Sequence, residues 1–343
     1  APSVLAKLAP SQWEDCSGCQ VLRPEGKPRA LLHWLGGVFV SPAPQVAYRY
    51  MLESLAAQGY LVVSTPFAVD FDYRKPAAEV HTKFSAAQTE LAKDYGDLPQ
   101  MAAGHSLGAL MQVLLCAMYP DYGDACTGAA LVSYNNKPAS DAIPLFEQAI
   151  VPAVAPLEPL TRNQALVSAR EQLVGLRRFS FGVAKALVQA SPLTQLVGQD
   201  EIEAALRDAE ALAGLTDQIP DVFSQVSRGA SEFSPSPEEM RALIGESYRQ
   251  RKPLVISFDI DGLDESDALE AALPPAAGAT RARLPGTHLT PLAARRLLVP
   301  SAVRPDNFLF DVDGLVSEMD RYFTGALAET REEAAARGGG AGF

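Results

Sequence analysis

The sequence predicts an α/β protein built on a doubly wound, mostly parallel sheet with an inserted helical cap. Three observations carry that expectation. Between residues 29 and 136, short continuously apolar runs alternate with segments of helical periodicity. From 141 to 234 the periodicity is helical throughout, with no strand pattern. Apolar runs then resume at 253, as though one sheet had been interrupted and continued.

In chain order, "RALLHWLGG" (29–37) is a buried strand ended by two glycines, entering a tight loop. After Pro42 and Pro44, "QVAYRYMLESLAAQG" sets Tyr48, Met51, Leu52 and Leu55 on one helical face, and Gly59 stops it. "YLVVSTPF" (60–67) is a second strand, and 74–95 a long helix. "LPQMAAG" is a third strand, "LGALMQVLLCAMY" a strongly apolar helix, and "TGAALVSYNN" (127–136) a fourth strand. Such alternation makes parallel β-α-β units with helices on both faces of the sheet.

In the middle segment, Leu166, Leu173, Leu176, Phe179, Val183 and Leu187 fall at helical spacing, followed by Ile202, Leu206, Ala209 and Leu212. Lying between strands of one sheet, this segment is expected to cap the sheet's carboxyl edge. Ser236-Pro237-Glu238-Glu239 is a capping box that opens a helix. "PLVISFDI" (253–260) and "ATRARLPGTH" (279–288) are the remaining strands, and Thr290-Pro291 is expected to start a further helix. "DVDGLVSEMDRYFTGALAETREEAAAR" reads as a closing helix. The expected organisation is a core of residues 1–140 and 235–335, a cap of 141–234 and a flexible tail of 336–343. No internal repeat is visible.

Composition narrows the classes of partner. At 343 residues, 48% hydrophobic and 20% charged, the chain can bury a sizeable core. A net charge of −12 argues against nucleic acid as a partner. No apolar run reaches the roughly 20 residues a membrane-spanning helix needs, which leaves at most contact with a membrane surface. Beginning at Ala1 without Met, the chain is expected to have had something removed or never built, and what remains has no secretory h-region. Cys16-Ser17-Gly18-Cys19 has C-x-x-C spacing, but no second ligand pair completes a zinc site. It reads as a surface loop with two thiols, with a regulatory disulfide as the alternative.

The chemistry centres on Gly104-His105-Ser106-Leu107-Gly108, a G-x-S-x-G sequence between a strand-like and a helix-like flank. A serine on so sharp a turn needs small neighbours two residues away on each side, and leaves the Leu107 N–H at a helix N-terminus, aimed where an oxyanion would form. Serine also needs a base. Of four histidines, His105 lies inside the motif with its ring expected to point away from Oγ, His33 ends a strand and His81 lies on a polar helix. His288, in a loop after the last strand, can reach back over the sheet edge and is the candidate base.

The base needs a carboxylate, and "VISFDIDGLDES" offers Asp259, Asp261 and Asp264. Asp261, the first acid on the turn, is the candidate, with Asp264 as the alternative acid. The second oxyanion donor is expected from the Gly36-Gly37 loop after the first strand, with Val38 N–H first and Gly37 N–H close behind. The order Ser106, Asp261, His288 matches the Ser…Asp…His order of this strand–turn–helix arrangement.

With these residues in view, the chain resembles an α/β-hydrolase. Within that superfamily it is similar to the cyanobacterial and plastid family called domain of unknown function 1350. The similarity rests on "LLHWLGGVFVSPAPQVAYRYMLESLAAQGYLVVSTPF", "GHSLGAL", "LVSYNNKPASDAIPLFEQ", "EFSPSPEE" and "LPGTHLTPL", and spans about residues 20–300. It implies the hydrolase sheet with a helical lid, a nucleophile elbow at Ser106, an acid at Asp261 and a base at His288. It also implies a chloroplast or cyanobacterial setting, in the stroma or against the thylakoid.

The chemistry expected from these residues is hydrolysis of a carboxylic ester or thioester through an acyl-enzyme. The apolar cap points to a lipophilic acyl or prenyl substrate. Acyl transfer by the same residues is one alternative, and a catalytically silent binding or assembly protein on the same fold is another. No metal or organic cofactor is expected.

Overall fold

The computed structural model describes residues 13–138, 232–292 and 311–338. The expected cap lies outside the described residues except for 232–234, as does most of the helix expected after Thr290-Pro291, of which only a 3₁₀ turn, Thr290–Leu292, is described.

Eight strands form one sheet: β1 (Trp13–Cys16), β2 (Cys19–Leu22), β3 (Ala30–Leu35), β4 (Tyr60–Ser64), β5 (Gln100–His105), β6 (Cys126–Val132), β7 (Leu254–Ile260) and β8 (Thr280–Thr287). Their spatial order is β1-β2-β4-β3-β5-β6-β7-β8. Strands β3 to β8 pair in parallel, and the β1–β2 hairpin adds antiparallel to the edge of β4. This is the doubly wound sheet of the α/β-hydrolase fold.

Helices are α1 (Pro44–Ala47), α2 (Arg49–Ala57), α3 (Arg74–Tyr95), α4 (Leu107–Met118), α5 (Pro120–Ala125), α6 (Pro237–Ser247), α7 (Ser266–Ala272) and α8 (Val312–Gly338). They cover both faces because the strands alternate their side chains between two apolar layers. On β3, Leu31 and Leu35 join Val80, Phe84, Leu114 and Ile244 of α3, α4 and α6. Leu32 and Trp34 of the same strand join Met51, Leu55, Met319 and Phe323 of α2 and α8. Helix α4 is buried from Leu107 to Ala117, which explains why "LGALMQVLLCAM" has no polar stripe. At α6 the capping box forms as its sequence predicts, Ser236 Oγ accepting from Glu239 N–H at 3.2 Å and Glu239 Oε2 from Ser236 N–H at 2.7 Å.

Four local expectations are corrected. Cys16-Ser17-Gly18-Cys19 is not a loop but the two-residue turn of the β1–β2 hairpin, with Cys16 paired to Cys19. Positive φ at both Ser17 (54°) and Gly18 (79°) gives the turn the handedness that matches strand twist. The helix expected across Tyr48 is broken there into α1 and α2, with Tyr48 at φ −107° and ψ 18°. His33 lies inside β3 rather than at its end, and is fully buried. Helix α8 runs on to Gly338, so the first residues of the expected tail are helical.

The topology decides where a site can form. From β3 the chain moves to one side, to β4, then crosses back to β5 on the other side. A sheet that reverses direction in this way leaves a crevice between the carboxyl ends of the two diverging strands. The loop after β3 and the turn after β5 meet there.

Candidate active site

Ser106 is the hinge between β5 and α4, at φ 56° and ψ −120°. A non-glycine residue held at positive φ stores about 1–3 kcal/mol of strain, so its surroundings must enforce the conformation. Two close approaches do so. A Cβ at Gly104 would overlap the carbonyl of Gly108, and one at Gly108 would overlap the carbonyl of Leu35. The first turn of α4 is thus pressed onto the ends of β5 and β3, and only glycine fits at either point. Ser106 N–H donates to Val132 O at 2.9 Å, tying the turn to β6.

His288 Nε2 lies 3.0 Å from Ser106 Oγ. Its Nδ1 lies 2.9 Å from Asp261 Oδ2 and 3.1 Å from Oδ1. The Asp261 side chain is wholly buried and that of His288 nearly so. Asp261 Oδ1 also accepts the N–H groups of Leu263 at 2.9 Å and Asp264 at 3.2 Å, a turn that aims the carboxylate. Burial alone would raise the pKa of Asp261, but the hydrogen bond and charge of His288, with the Leu263 N–H, outweigh it and hold the group below the ordinary carboxylate value. The carboxylate therefore faces the imidazole in its ionised form.

The alternative acid is turned away. Asp264 accepts from Ser266 Oγ at 2.5 Å and lies 3.9 Å from Arg281, and no hydrogen bond joins it to His288 among the described residues. Burial holds its carboxyl above the usual range. Asp259 pairs with Arg283 at 2.7 Å.

Of the expected oxyanion donors, Leu107 N–H sits at the first position of α4, where helix geometry gives it no acceptor. The Gly36-Gly37 loop lies against the serine, and a Cβ added at Gly37 would sit 3.4 Å from Ser106 Cβ. Gly37 N–H, however, is engaged, donating to Tyr48 Oη at 2.8 Å. It is not an open donor, which corrects the expectation for that residue. Val38 N–H, opening the 3₁₀ turn Val38–Val40, donates to no described residue.

Tyr48 is the residue sequence reasoning missed, since its helical spacing reads as core. Its hydroxyl also lies 2.9 Å from His105 Nδ1. Burial, reinforced by the neighbouring His288, pushes the pKa of His105 well below its usual value. Among the described residues, no group of three or more His, Cys, Asp or Glu could hold a metal ion.

The model of the family described as protein of unknown function (DUF1350) matches residues 12–179 and 189–297. The chain belongs to this family. No curated protein sequence matches this DUF1350 member. Solved structures with a similar backbone include a proline iminopeptidase of Mycobacterium smegmatis, 13% identical over 93% of this chain and 99% of that one, with a TM-score of 0.49. A thermostable carboxyl esterase of Bacillus coagulans in complex with glycerol is 15% identical over 92% of this chain and 97% of that one, with a TM-score of 0.47. A thioesterase domain from the curacin biosynthetic pathway is 14% identical over 89% and 97%, with a TM-score of 0.44.

Proposed function

We propose that this DUF1350 protein is a serine hydrolase acting on carboxylic esters or thioesters. The observation that carries the reading is the hydrogen-bonded line Ser106 Oγ, His288, Asp261, set at the switch point of the sheet. His288 Nε2 takes the proton of Ser106 Oγ as that oxygen attacks the acyl carbonyl. Asp261 accepts Nδ1–H and stabilises the imidazolium that results. Leu107 N–H and Val38 N–H hold the oxyanion of the tetrahedral intermediate. As the intermediate collapses, the alcohol or thiol leaves with the proton from His288, and the acyl group stays on Oγ. Water, activated by His288, then releases the acid.

A lipophilic substrate is supported by two exposed apolar side chains next in sequence to Asp261 and His288. Ile260 (57% exposed) and Leu289 (56%) are the large hydrophobic side chains left exposed among the described residues. They adjoin Asp261 and His288 respectively. Apolar side chains left exposed this near in sequence to the acid and the base fit recognition of an acyl or prenyl chain.

The test is labelling by a fluorophosphonate probe beside Ser106→Ala and His288→Ala variants, then a chain-length series of esters. Labelling of the wild type alone is expected, with kcat/KM rising with chain length. A folded wild type that neither labels nor turns over any ester, with or without dilute detergent, would favour the binding protein. Product appearing on an added alcohol rather than on water would favour acyl transfer.

A further inference from the structure

We propose that Tyr48 and His105 are positioning residues that lock the oxyanion loop, an inference that rests on the hydrolase reading above. Tyr48 Oη lies 2.8 Å from Gly37 N and 2.9 Å from His105 Nδ1. The backbone N–H can only donate, so Tyr48 Oη accepts from it. The single hydroxyl proton then goes to His105 Nδ1, which must be the unprotonated ring nitrogen, and the ring proton resides on Nε2. Donor and acceptor roles thus run in one direction, from the loop through the phenol to the residue before the serine.

Three features make this lock stiff. Tyr48 is buried and its ring packs edge-on against Trp34, at 5.0 Å between centroids, and against His105, at 5.8 Å. It also sits where α1 gives way to α2, with its backbone held by Pro44 O at 2.9 Å. Gly36 and Gly37 lie hard against it, since a Cβ at Gly36 would be 3.0 Å from Tyr48 Cε2 and one at Gly37 would be 3.2 Å from the hydroxyl. Two consecutive glycines are otherwise the easiest stretch of backbone to rotate. Turning Gly37 N–H onto Tyr48 fixes the peptide plane between them and leaves Val38 N–H as the donor this loop can offer the oxyanion.

The same hydrogen bond governs the neighbour of the base. The His105 ring is tilted 4.7 Å from that of His288. Its Nε2 side approaches the His288 backbone without meeting hydrogen-bond geometry. With Nδ1 occupied by the Tyr48 proton, the ring stays neutral beside the imidazolium that forms on His288 during the reaction. Tyr48 and His105 touch neither the attacking oxygen nor its proton, and they act through Gly37 and His288.

The experiment compares Tyr48→Phe, His105→Asn and His105→Phe with the wild type, reading kcat and KM on a soluble ester and the thermal midpoint. Tyr48→Phe keeps the ring packing and removes only the hydroxyl. Its kcat is expected to fall about 10- to 100-fold with KM within about twofold, the scale of a loosened oxyanion donor. His105→Asn places an amide oxygen near the former Nδ1, accepts the Tyr48 proton and cannot ionise, so it should restore kcat to within about threefold of the wild type. His105→Phe fills the volume without an acceptor and should behave like Tyr48→Phe. The inference is overturned if Tyr48→Phe keeps kcat within twofold of the wild type, if the loss lies in KM alone, or if His105→Asn is as impaired as His105→Phe. Should Tyr48→Phe not fold, the two His105 variants still decide. A wild type inactive toward every ester and the fluorophosphonate overturns the hydrolase reading and this inference with it, whereas an active wild type beside an unimpaired Tyr48→Phe overturns the inference alone.

Discussion

His288 Nε2 stands 3.0 Å from Ser106 Oγ, although 182 positions of chain separate the two residues. No local preference brings them together. The parallel sheet does, by delivering the turn after β5 and the loop after β8 to the same edge, where Asp261 meets the imidazole from the end of β7.

That arrangement separates the two candidate acids. Asp261→Asn should lower kcat/KM on an ester by about 10⁴-fold, because an amide cannot hold the imidazole in the tautomer the serine needs. Asp264→Asn, which alters a carboxyl bonded to Ser266, should stay within about tenfold of the wild type. Equal losses in the two variants would contradict the assignment. With its carboxyl held below the ordinary value of 3.8, Asp261 stays ionised as pH falls from neutrality to that value, and the support it gives is lost only on passing below it.

The two close-packed glycines of the turn contrast with Gly245. Gly108→Ala puts a methyl group into the Leu35 carbonyl and should cost about 3 kcal/mol or more of stability. At Gly245, within α6, a Cβ would meet only an ordinary van der Waals contact, Ala272 O at 3.6 Å. There alanine should stabilise by about 0.5–1 kcal/mol through helix propensity. Urea midpoints of the two variants against the wild type check the contrast in sign.

His33 should make the fold sensitive to acid. Tyr122 Oη donates to Gln112 Oε1 at 2.7 Å, so His33 Nδ1 must donate to Tyr122 (2.6 Å) and Nε2 must accept from Thr65 Oγ1 (2.9 Å). That network is satisfied by the neutral ring. Burial, with a smaller contribution from His81, pushes the pKa of His33 down to about 3 from its ordinary 6.5. Between those values the unfolded chain binds a proton that the folded one does not. Stability should therefore fall as pH drops from 6.5 towards 3, by about 1.4 kcal/mol per pH unit from this one group. Denaturant midpoints from pH 7 to 4 should show a shallower slope in His33→Asn, and an unchanged slope would refute the prediction.

The hairpin thiols should be slow to react. Burial raises the pKa of Cys16, and pushes that of Cys19 up to about 11. Cys116 and Cys126 are buried. A disulfide reagent at neutral pH should therefore find at most one thiol in the folded protein, Cys16, and four after unfolding. Rapid reaction of two thiols in the native state would revive the redox-pair reading of Cys16 and Cys19.

Much of the framework can be read from pattern alone. The helix over 74–95 and the capping box at Ser236 have the expected bounds, because each is set by local periodicity or local hydrogen bonding. The β1–β2 hairpin is illegible because "WEDC" and "CQVL" are only four residues each, too short for a period of two to stand out, and their turn carries Ser17 where glycine or asparagine would signal it. Tyr48 is illegible for another reason: helical spacing marks it as buried, but nothing in spacing says that its hydroxyl meets a loop 11 residues earlier and a ring 57 residues later.

By itself, then, the sequence determined what is periodic or covalently close: the strand–helix alternation, the glycines flanking Ser106, and the chain order of Ser106, Asp261 and His288. The tertiary structure decided everything that depends on direction. It brought Asp261 rather than Asp264 to His288, by the turn that points one carboxylate at the imidazole and the other at Ser266. It withdrew Gly37 N–H from the candidate oxyanion donors by handing it to Tyr48. The physical reason is that a hydrogen bond is chosen over lengths of about 3 Å and within a narrow cone of angles. Residue type and spacing carry neither until the sheet has closed.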